Sequence, residues 1–292
     1  MTGGVVIKRK PIFLLIILIL FFSNIVIANN DYISGQGRIR KFDWRYLTSN
    51  DKYIRFESPE EFLQEADYYV NKISQYLNKS NWLERYKRNK IRFQVSPTGI
   101  SHVAGGYKNI YNPRLKIYLS EYLFKLNAAP IAHEITHLIA LEYTSLSLRE
   151  GLACLMQDKY GKNVSVFNYG APIYSLSKQF HKSKYKKILT HIGKEGIPHN
   201  INLRNPQERI PFYILSYSFS KYLIDKYGIK KFMYVCEADD LLTAYENKYN
   251  KNLKELKTNW FNFLNKQDNY KYNYREWREK FFARDKKITN RL

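Results

Sequence analysis

The sequence has few cysteines and few acidic residues for its length of 292 residues. Cys154 and Cys236 are the only cysteines, so the chain has no dense disulfide framework and no Cys/His cluster typical of a structural zinc site. Whether these two thiols pair is open at this point. The chain also has no internal repeat and no long low-complexity tract. Its hydrophobic content of 45% and aromatic content of 16% are those of a globular protein.

The shortage of acidic residues gives the chain a large positive charge. Lysine and arginine number 48 against 26 aspartates and glutamates, for a formal net charge of +22. Such a balance favours anionic surfaces, nucleic acid or acidic substrates as partners. Lysine, asparagine, isoleucine and tyrosine are abundant along the whole chain, however. The positive charge therefore reflects a composition bias that extends over the whole sequence. Charge alone therefore does not indicate a nucleic-acid partner, and the sequence does not indicate an oligomeric state.

The first 28 residues have the pattern of a secretory signal peptide. Three basic residues at 8–10 precede an unbroken apolar run at 11–22, and Ala28 offers a small residue for cleavage. The alternative is an uncleaved membrane anchor, since residues 11–28 approach the length that spans a bilayer, roughly 17–25 residues. Either interpretation places the rest of the chain outside the cytoplasm, secreted or periplasmic in the first case and membrane-anchored in the second.

Beyond residue 28, the pattern predicts an α+β domain over residues 51–265. Residues 29–50 are polar and predict a linker. Alternating apolar residues predict short strands at 53–56, 91–95 and 115–119. Ser58 and Glu61 fit a capping box around Pro59, at the start of a helix to about residue 78. Further helices are predicted at 127–143, 148–160, 211–227, 229–236, 239–246 and 252–265.

The third predicted strand is followed by His133-Glu134-Ile135-Thr136-His137, an HExxH motif. On a helix, positions i and i+4 lie on one face, so the imidazoles of His133 and His137 can reach one ion. Neutral imidazole is a good zinc ligand, and catalytic zinc has three protein ligands plus water. Glu134 lies at the edge of the same face, where it can accept a proton from a zinc-bound water. The sequence therefore predicts a hydrolytic zinc site.

A carboxylate for the third ligand position follows at the start of the next predicted helix. Glu150 lies 13 positions beyond His137, in the segment Glu150-Gly151-Leu152-Ala153. Here the chain resembles the gluzincin metallopeptidases, in the branch where HExxH is followed by an E-G-[LF]-A segment. This resemblance implies one zinc ion per chain, on His133, His137 and Glu150, with Glu134 as the general base.

The resemblance also implies a fold and further site residues. It implies a zincin-like arrangement: a small strand-rich N-terminal lobe with one helix, a mostly helical C-terminal lobe, and the active-site helix at their junction. Residues 115–119 correspond to the edge strand against which substrate lies in these enzymes. Tyr213 corresponds to the tyrosine that stabilises the oxyanion, with Tyr217, one turn along, as the alternative.

Departures from the family pattern limit the activity that is implied. The Gly-x-Met-Glu-Asn motif with which aminopeptidases read a substrate amine is absent, so the sequence favours an endopeptidase acting on peptides or proteins. Arg149 and Cys154 replace the Asn and Asp of thermolysin-like enzymes, which leaves the partner of a ligand histidine unidentified. The alternative is a non-catalytic module that binds zinc or an anionic surface on a peptidase scaffold.

The last predicted unit is a basic, aromatic tail at residues 266–292. Tyrosine, tryptophan and phenylalanine alternate there with lysine and arginine. The tail can dock on an anionic surface, or it can form a final helix whose aromatic residues pack on the main domain.

Overall fold

The structure is a computed structural model of the chain. It describes residues 32–33, 37–39, 56, 58–79, 91–96, 101–104, 115–125, 128–140, 143–162, 168, 171–181 and 183–270. Over these residues the fold is mixed α+β, with strands in the first half and helices predominating after them, as the sequence predicts. The predicted signal segment and residues 271–292 of the predicted tail lie outside the described residues. Within the described part, no helix is both long enough and apolar enough to span a membrane.

Five strands in the described part of the chain form one mixed sheet. Their bounds are β1 Tyr32–Ile33, β2 Gly37–Ile39, β3 Ile91–Ser96, β4 His102–Ala104 and β5 Lys116–Ser120. The spatial order is β1-β2-β3-β5-β4, with β2, β3 and β5 parallel and the two outer strands antiparallel to their neighbours. Strands β1 and β2 belong to the segment for which the sequence predicts a linker, so that segment contributes to the sheet.

Strand β5 lies inside the sheet, which corrects one expectation. It pairs with β3 on one side and with β4 on the other. The prediction that residues 115–119 form an edge open to substrate is therefore wrong. The physical reason is that β4, a three-residue strand too short to give an alternating pattern, covers that side of β5. Among the described strands, β4 is the edge on this side of the sheet and β1 is the edge on the other.

One face of the sheet forms the core with the first helix. In β3, Ile91, Phe93 and Val95 are buried, while the residues between them are partly exposed. Helix α1 (Pro59–Tyr76) packs against this region, and the ring of its Phe62 meets that of Phe93 edge to face, with 5.0 Å between centroids. The helix starts as predicted, since Ser58 Oγ accepts a hydrogen bond from the Glu61 amide.

Nine further helices are described. They are α2 Glu121–Lys125, α3 Ile131–Ile139, α4 Leu146–Tyr160, α5 Ile173–Phe180, α6 Lys186–Leu189, α7 Pro206–Tyr227, α8 Ile229–Cys236, α9 Leu241–Tyr249 and α10 Leu253–Asn265. The sequence predicts α3, α4 and α7–α10 but not α2, α5 and α6. Helices α2 and α6 are five and four residues long, so their apolar periodicity spans too few turns to stand out, whereas α5 has the same length as the predicted α8.

Two helix starts differ from prediction because of prolines. Helix α3 begins at Ile131 instead of residue 127, since a proline disfavours helical conformation in the residue before it, and Pro130 itself is not helical. Helix α7 begins earlier than residue 211, because the side chain of Asn205 caps it and Pro206 suits the first turn. Pro211 is then accommodated inside the helix.

Helix α3 contacts both the sheet and the helices that follow it. It packs against α1, against strands β4 and β5, and against α4. Helix α4 in turn packs along α7, the most extensive helix contact in the described structure. Every residue of α3 is buried. The helix that carries the HExxH motif is therefore enclosed by α1, α4 and the sheet.

Candidate metal centre

The start of α3 is fixed by a side chain from α4. Pro130 provides no side-chain cap, so the amide of His133, in the first turn, needs an acceptor from elsewhere. The buried Gln157 supplies it, with 3.1 Å between its Oε1 and the His133 nitrogen. This bond ties the two helices that carry the predicted ligands to each other.

Helix α4 is capped one turn before its candidate ligand. Ser145 Oγ accepts a hydrogen bond from the Leu148 amide, which sets the start of the helix and places Glu150 in its first turn and a half. Gly151, next to it, allows α7 to approach closely, since a Cβ there would lie 2.3 Å from the carbonyl oxygen of Ser216. Helices α3, α4 and α7 thus meet at Glu150.

The three predicted ligands converge. His133 Nε2 lies 3.0 Å from His137 Nε2, and Glu150 Oε2 lies 3.3 and 3.2 Å from these two nitrogens. Zinc bonds to nitrogen and carboxylate oxygen are about 2.0–2.2 Å long, so an ion can be bonded to all three atoms from roughly 1 Å outside their plane. The geometry fits a metal ion held by these three atoms. In the described part of the chain, this is the one group of three such side chains.

The polar atoms of the site need a cation. All three side chains are buried, with exposed fractions of 6–10%. Neither Glu150 Oε2 nor Glu134 Oε2 has a hydrogen-bond partner in the described structure. Buried carboxylate oxygens without a partner are costly, and a bound metal ion removes this cost at Glu150. The donor set therefore supports a metal site, and nitrogen plus carboxylate ligands suit zinc.

Glu134 has the properties of a proton acceptor. Burial raises the pKa of its carboxyl to about 7, with a further rise from Glu150 that His133 and Arg149 partly oppose. A pKa near neutrality is the value that suits a general base. At Glu150 burial also raises the pKa, but His137 and His133 outweigh it and hold the pKa well below its usual range. Of the two carboxylates, Glu150 is therefore the one that stays ionised beside the imidazoles, and Glu134 is the one with a pKa near neutrality.

The second oxygen of Glu150 contacts a cationic side chain. Arg149 Nη2 lies 3.3 Å from Glu150 Oε1. The side chain of Tyr213, on α7, also hydrogen-bonds to Glu150, and its ring stacks near that of His133 with 6.3 Å between centroids. With Oε1 occupied, Oε2 faces the two imidazoles.

The two candidate tyrosines differ in position. Tyr213 lies at the metal centre, where burial and the neighbouring Glu150 raise the pKa of its phenol well above 10, so it stays a donor. Tyr217 is buried and donates a hydrogen bond to Asp158 Oδ2 at 2.6 Å. The structure thus brings the first of the two to the predicted ligands and engages the second with a carboxylate on α4.

Cys154 lies beside the first ligand histidine. Its sulfur is 3.8 Å from His133 Nδ1, so it occupies the place of the histidine partner that the sequence does not identify. Burial raises the pKa of this thiol well above 9, so it remains protonated. Cys154 and Cys236 are both free thiols. No hydrogen-bond partner of His137 Nδ1 is present in the described part of the chain.

Two residues of the site lack a sequence signal. Gln157 caps α3 through a contact 24 positions away along the chain. Arg149 appears in the sequence only as a departure from the thermolysin pattern, yet its guanidinium reaches the ligand carboxylate. A motif shows which residues carry the chemistry, but not which neighbours hold them, because those contacts form only on folding.

Comparison of the chain with models of known protein families, with curated proteins and with solved structures found no match in any of the three. The site is therefore interpreted from its own geometry and chemistry.

Proposed function

We propose that this chain is an exported zinc-dependent metallopeptidase of the gluzincin type, with an endopeptidase activity on peptides or proteins. The observation that carries the proposal is the convergence of His133, His137 and Glu150 on one point, next to the buried Glu134. A zinc ion bound there would supply a Lewis acid and lower the pKa of a coordinated water to about 7.

The chain's own residues supply the remaining chemistry. Glu134 accepts the proton of the attacking water at its buried carboxylate and delivers it to the leaving amine. Tyr213 holds its phenolic proton next to Glu150, and rotation of this O–H lets it donate to the oxygen of the substrate carbonyl as negative charge develops. Two neighbours position His133: Cys154 contacts its ring at Nδ1, and Gln157 accepts a hydrogen bond from its backbone amide.

An extended peptide can reach this centre along the sheet. Strand β4 (His102–Ala104) pairs on one side with β5, and among the described strands its other side is the edge of the sheet. Helix α3 packs against the same strand. Main-chain pairing with β4 therefore supports binding of a substrate in extended form beside the metal ligands, with little demand on its sequence.

Metal content and turnover test the proposal. We expect about one zinc per chain by elemental analysis of the purified protein, and chelator-sensitive cleavage of a peptide library. Glu134→Gln should retain the metal and lose turnover by at least about 100-fold, whereas Glu237→Gln, an exposed control, should keep both. His133→Ala should lose the metal. A wild-type protein that binds no metal contradicts the proposal.

The same experiment separates a second class of function. A chain that binds zinc tightly but cleaves nothing in the library, with Glu134→Gln indistinguishable from wild type, would be a non-catalytic binding module. Glu134 Oε2 is buried and has no hydrogen-bond partner in the described structure. This supports a catalytic function, because a binding module has no need for a buried base.

A further inference from the structure

Besides the metal centre, the described structure has a cluster of basic side chains where the turn after α6 meets helix α10. The ammonium of Lys257, on α10, donates a hydrogen bond to the carbonyl oxygen of Leu189 at 2.8 Å, although the two residues lie 68 positions apart. His191, in the turn, lies within electrostatic range of three basic groups: Lys194, His199 and Lys257. These four side chains form the basic cluster.

The basic cluster combines exposed and partly buried members. Lys194 and His199 are exposed, whereas His191 and Lys257 are partly buried. Burial, with the nearby charge of Lys194, lowers the pKa of the Lys257 ammonium to about 8. Burial also lowers the pKa of His191, which a hydrogen bond to Asn200 opposes. A solute can therefore reach the cluster through its exposed members and meet a cation partly removed from water, where electrostatic attraction is stronger.

The basic cluster has no carboxylate counter-ion among the described residues. The charged groups that act on its two partly buried members are all basic. Glu195 accepts a hydrogen bond from the first amide of α9, and Glu255 closes the capping box of α10. Glu208 pairs with Lys187. The acidic side chains of the flanking segments are thus engaged elsewhere, and since like charges repel, a bound anion would lower the electrostatic energy of the cluster.

From this arrangement we propose that the basic cluster is a binding site for a phosphate-type oxyanion, with Lys194 and Lys257 as its charged ligands. A phosphomonoester carries a charge of about −1.5 to −2 at pH 7 and three acceptor oxygens, so one such group can balance both ammonium groups. The Leu189 carbonyl takes one of the three N–H donors of Lys257 and fixes its position. The phosphate belongs either to a soluble compound or to the headgroup of a membrane lipid. This site is independent of the proposed peptidase activity.

Calorimetric titration with inorganic phosphate at fixed ionic strength tests the proposal. We expect saturable binding with a Kd at or below about 1 mM, weakened at least about 10-fold in Lys257→Met and in Lys194→Gln. Lys194 is exposed, so its replacement does not depend on how the core tolerates the change. Lys230→Met removes the same charge from an exposed position on α8 and should bind phosphate within about 2-fold of wild type.

Amine acylation followed by mass spectrometry locates the bound anion. Phosphate at saturation should reduce modification of Lys257 by about 5-fold or more, because an adjacent anion keeps the amine protonated, and should leave modification of Lys230 unchanged. Absence of saturable binding, or equal phosphate binding by wild type and the Lys194 and Lys257 variants, overturns the proposal.

Two further measurements separate this site from the metal centre and identify the source of the phosphate. His133→Ala should bind phosphate as wild type does, and a loss of binding would place the anion on the metal and overturn the proposal. A chain without zinc and without cleavage that still binds phosphate overturns the peptidase proposal alone. In vesicle flotation, recruitment that requires phosphatidic acid in phosphatidylcholine vesicles, and that Lys257→Met abolishes, identifies a lipid headgroup. Binding of free phosphate without such recruitment identifies a soluble ligand.

Discussion

Replacement of Gly151 by alanine tests whether the close approach of α4 and α7 builds the metal centre. A Cβ at this position would lie 2.3 Å from both the carbonyl oxygen of Ser216 and the Oγ of Ser220. Ordinary contact begins at about 3.4 Å, so the two helices must separate by roughly 1 Å. Because the oxygen of Ser216 belongs to the backbone, a side-chain rotation cannot relieve this clash.

The expected magnitude follows from two opposing effects. Alanine stabilises a helix interior relative to glycine by about 1 kcal/mol. Overpacking of a tight contact costs about 1–3 kcal/mol, and the movement also draws Tyr213 on α7 away from Glu150 on α4. We expect a net loss of up to about 2 kcal/mol in the free energy of unfolding, measured by denaturant titration. Zinc affinity should fall by about 10-fold or more, because the carboxylate loses part of its support.

Ser220→Ala provides the matched control. Its hydroxyl is buried and has no hydrogen-bond partner in the described structure, so its removal should change stability by less than about 0.5 kcal/mol. Adding this change to Gly151→Ala should not restore zinc binding, since the Ser216 carbonyl remains. A Gly151→Ala protein with wild-type stability and zinc affinity would refute the argument that the contact positions the ligand.

Three further predictions concern supporting groups. Gln157→Leu removes the acceptor of the His133 amide, so the free energy of unfolding should fall by about 1–2 kcal/mol in a denaturant titration. An unchanged free energy of unfolding would show that the hydrogen bond is dispensable. Tyr213→Phe should lower kcat at least about 10-fold, whereas Tyr217→Phe should mainly lower the melting temperature; the reverse pattern would assign the oxyanion role to Tyr217. Burial lowers the pKa of Lys257 to about 8, so the unfolded chain binds more protons between about pH 8 and 10.5. The wild type should therefore gain up to about 3 kcal/mol of stability relative to Lys257→Met as the pH rises through this window. Parallel curves of unfolding free energy against pH for the two proteins would contradict this prediction.

The sequence predicts those parts of the fold that rest on local signals. The cap at Ser58 and the regular apolar spacing predict helix α1, and the predicted C-terminal end lies within two residues of the observed one. The long helices α4 and α7 are predicted for the same reason, whereas the starts of α3 and α7 are displaced by prolines. Strand β4 is missed because three residues carry no periodicity, and its presence moves the edge of the sheet away from β5.

The sequence alone predicts the two candidate histidine ligands and the candidate base, because a helix places residues i and i+4 of HExxH on one face. Glu150 could be proposed from its spacing, but a spacing says nothing about direction. Only the tertiary structure decided that its Oε2 faces both imidazoles, that Arg149 contacts its other oxygen, that Tyr213 lies beside it, and that Gln157 caps the motif helix. These contacts join α3, α4 and α7, and they depend on helix packing that no local pattern encodes.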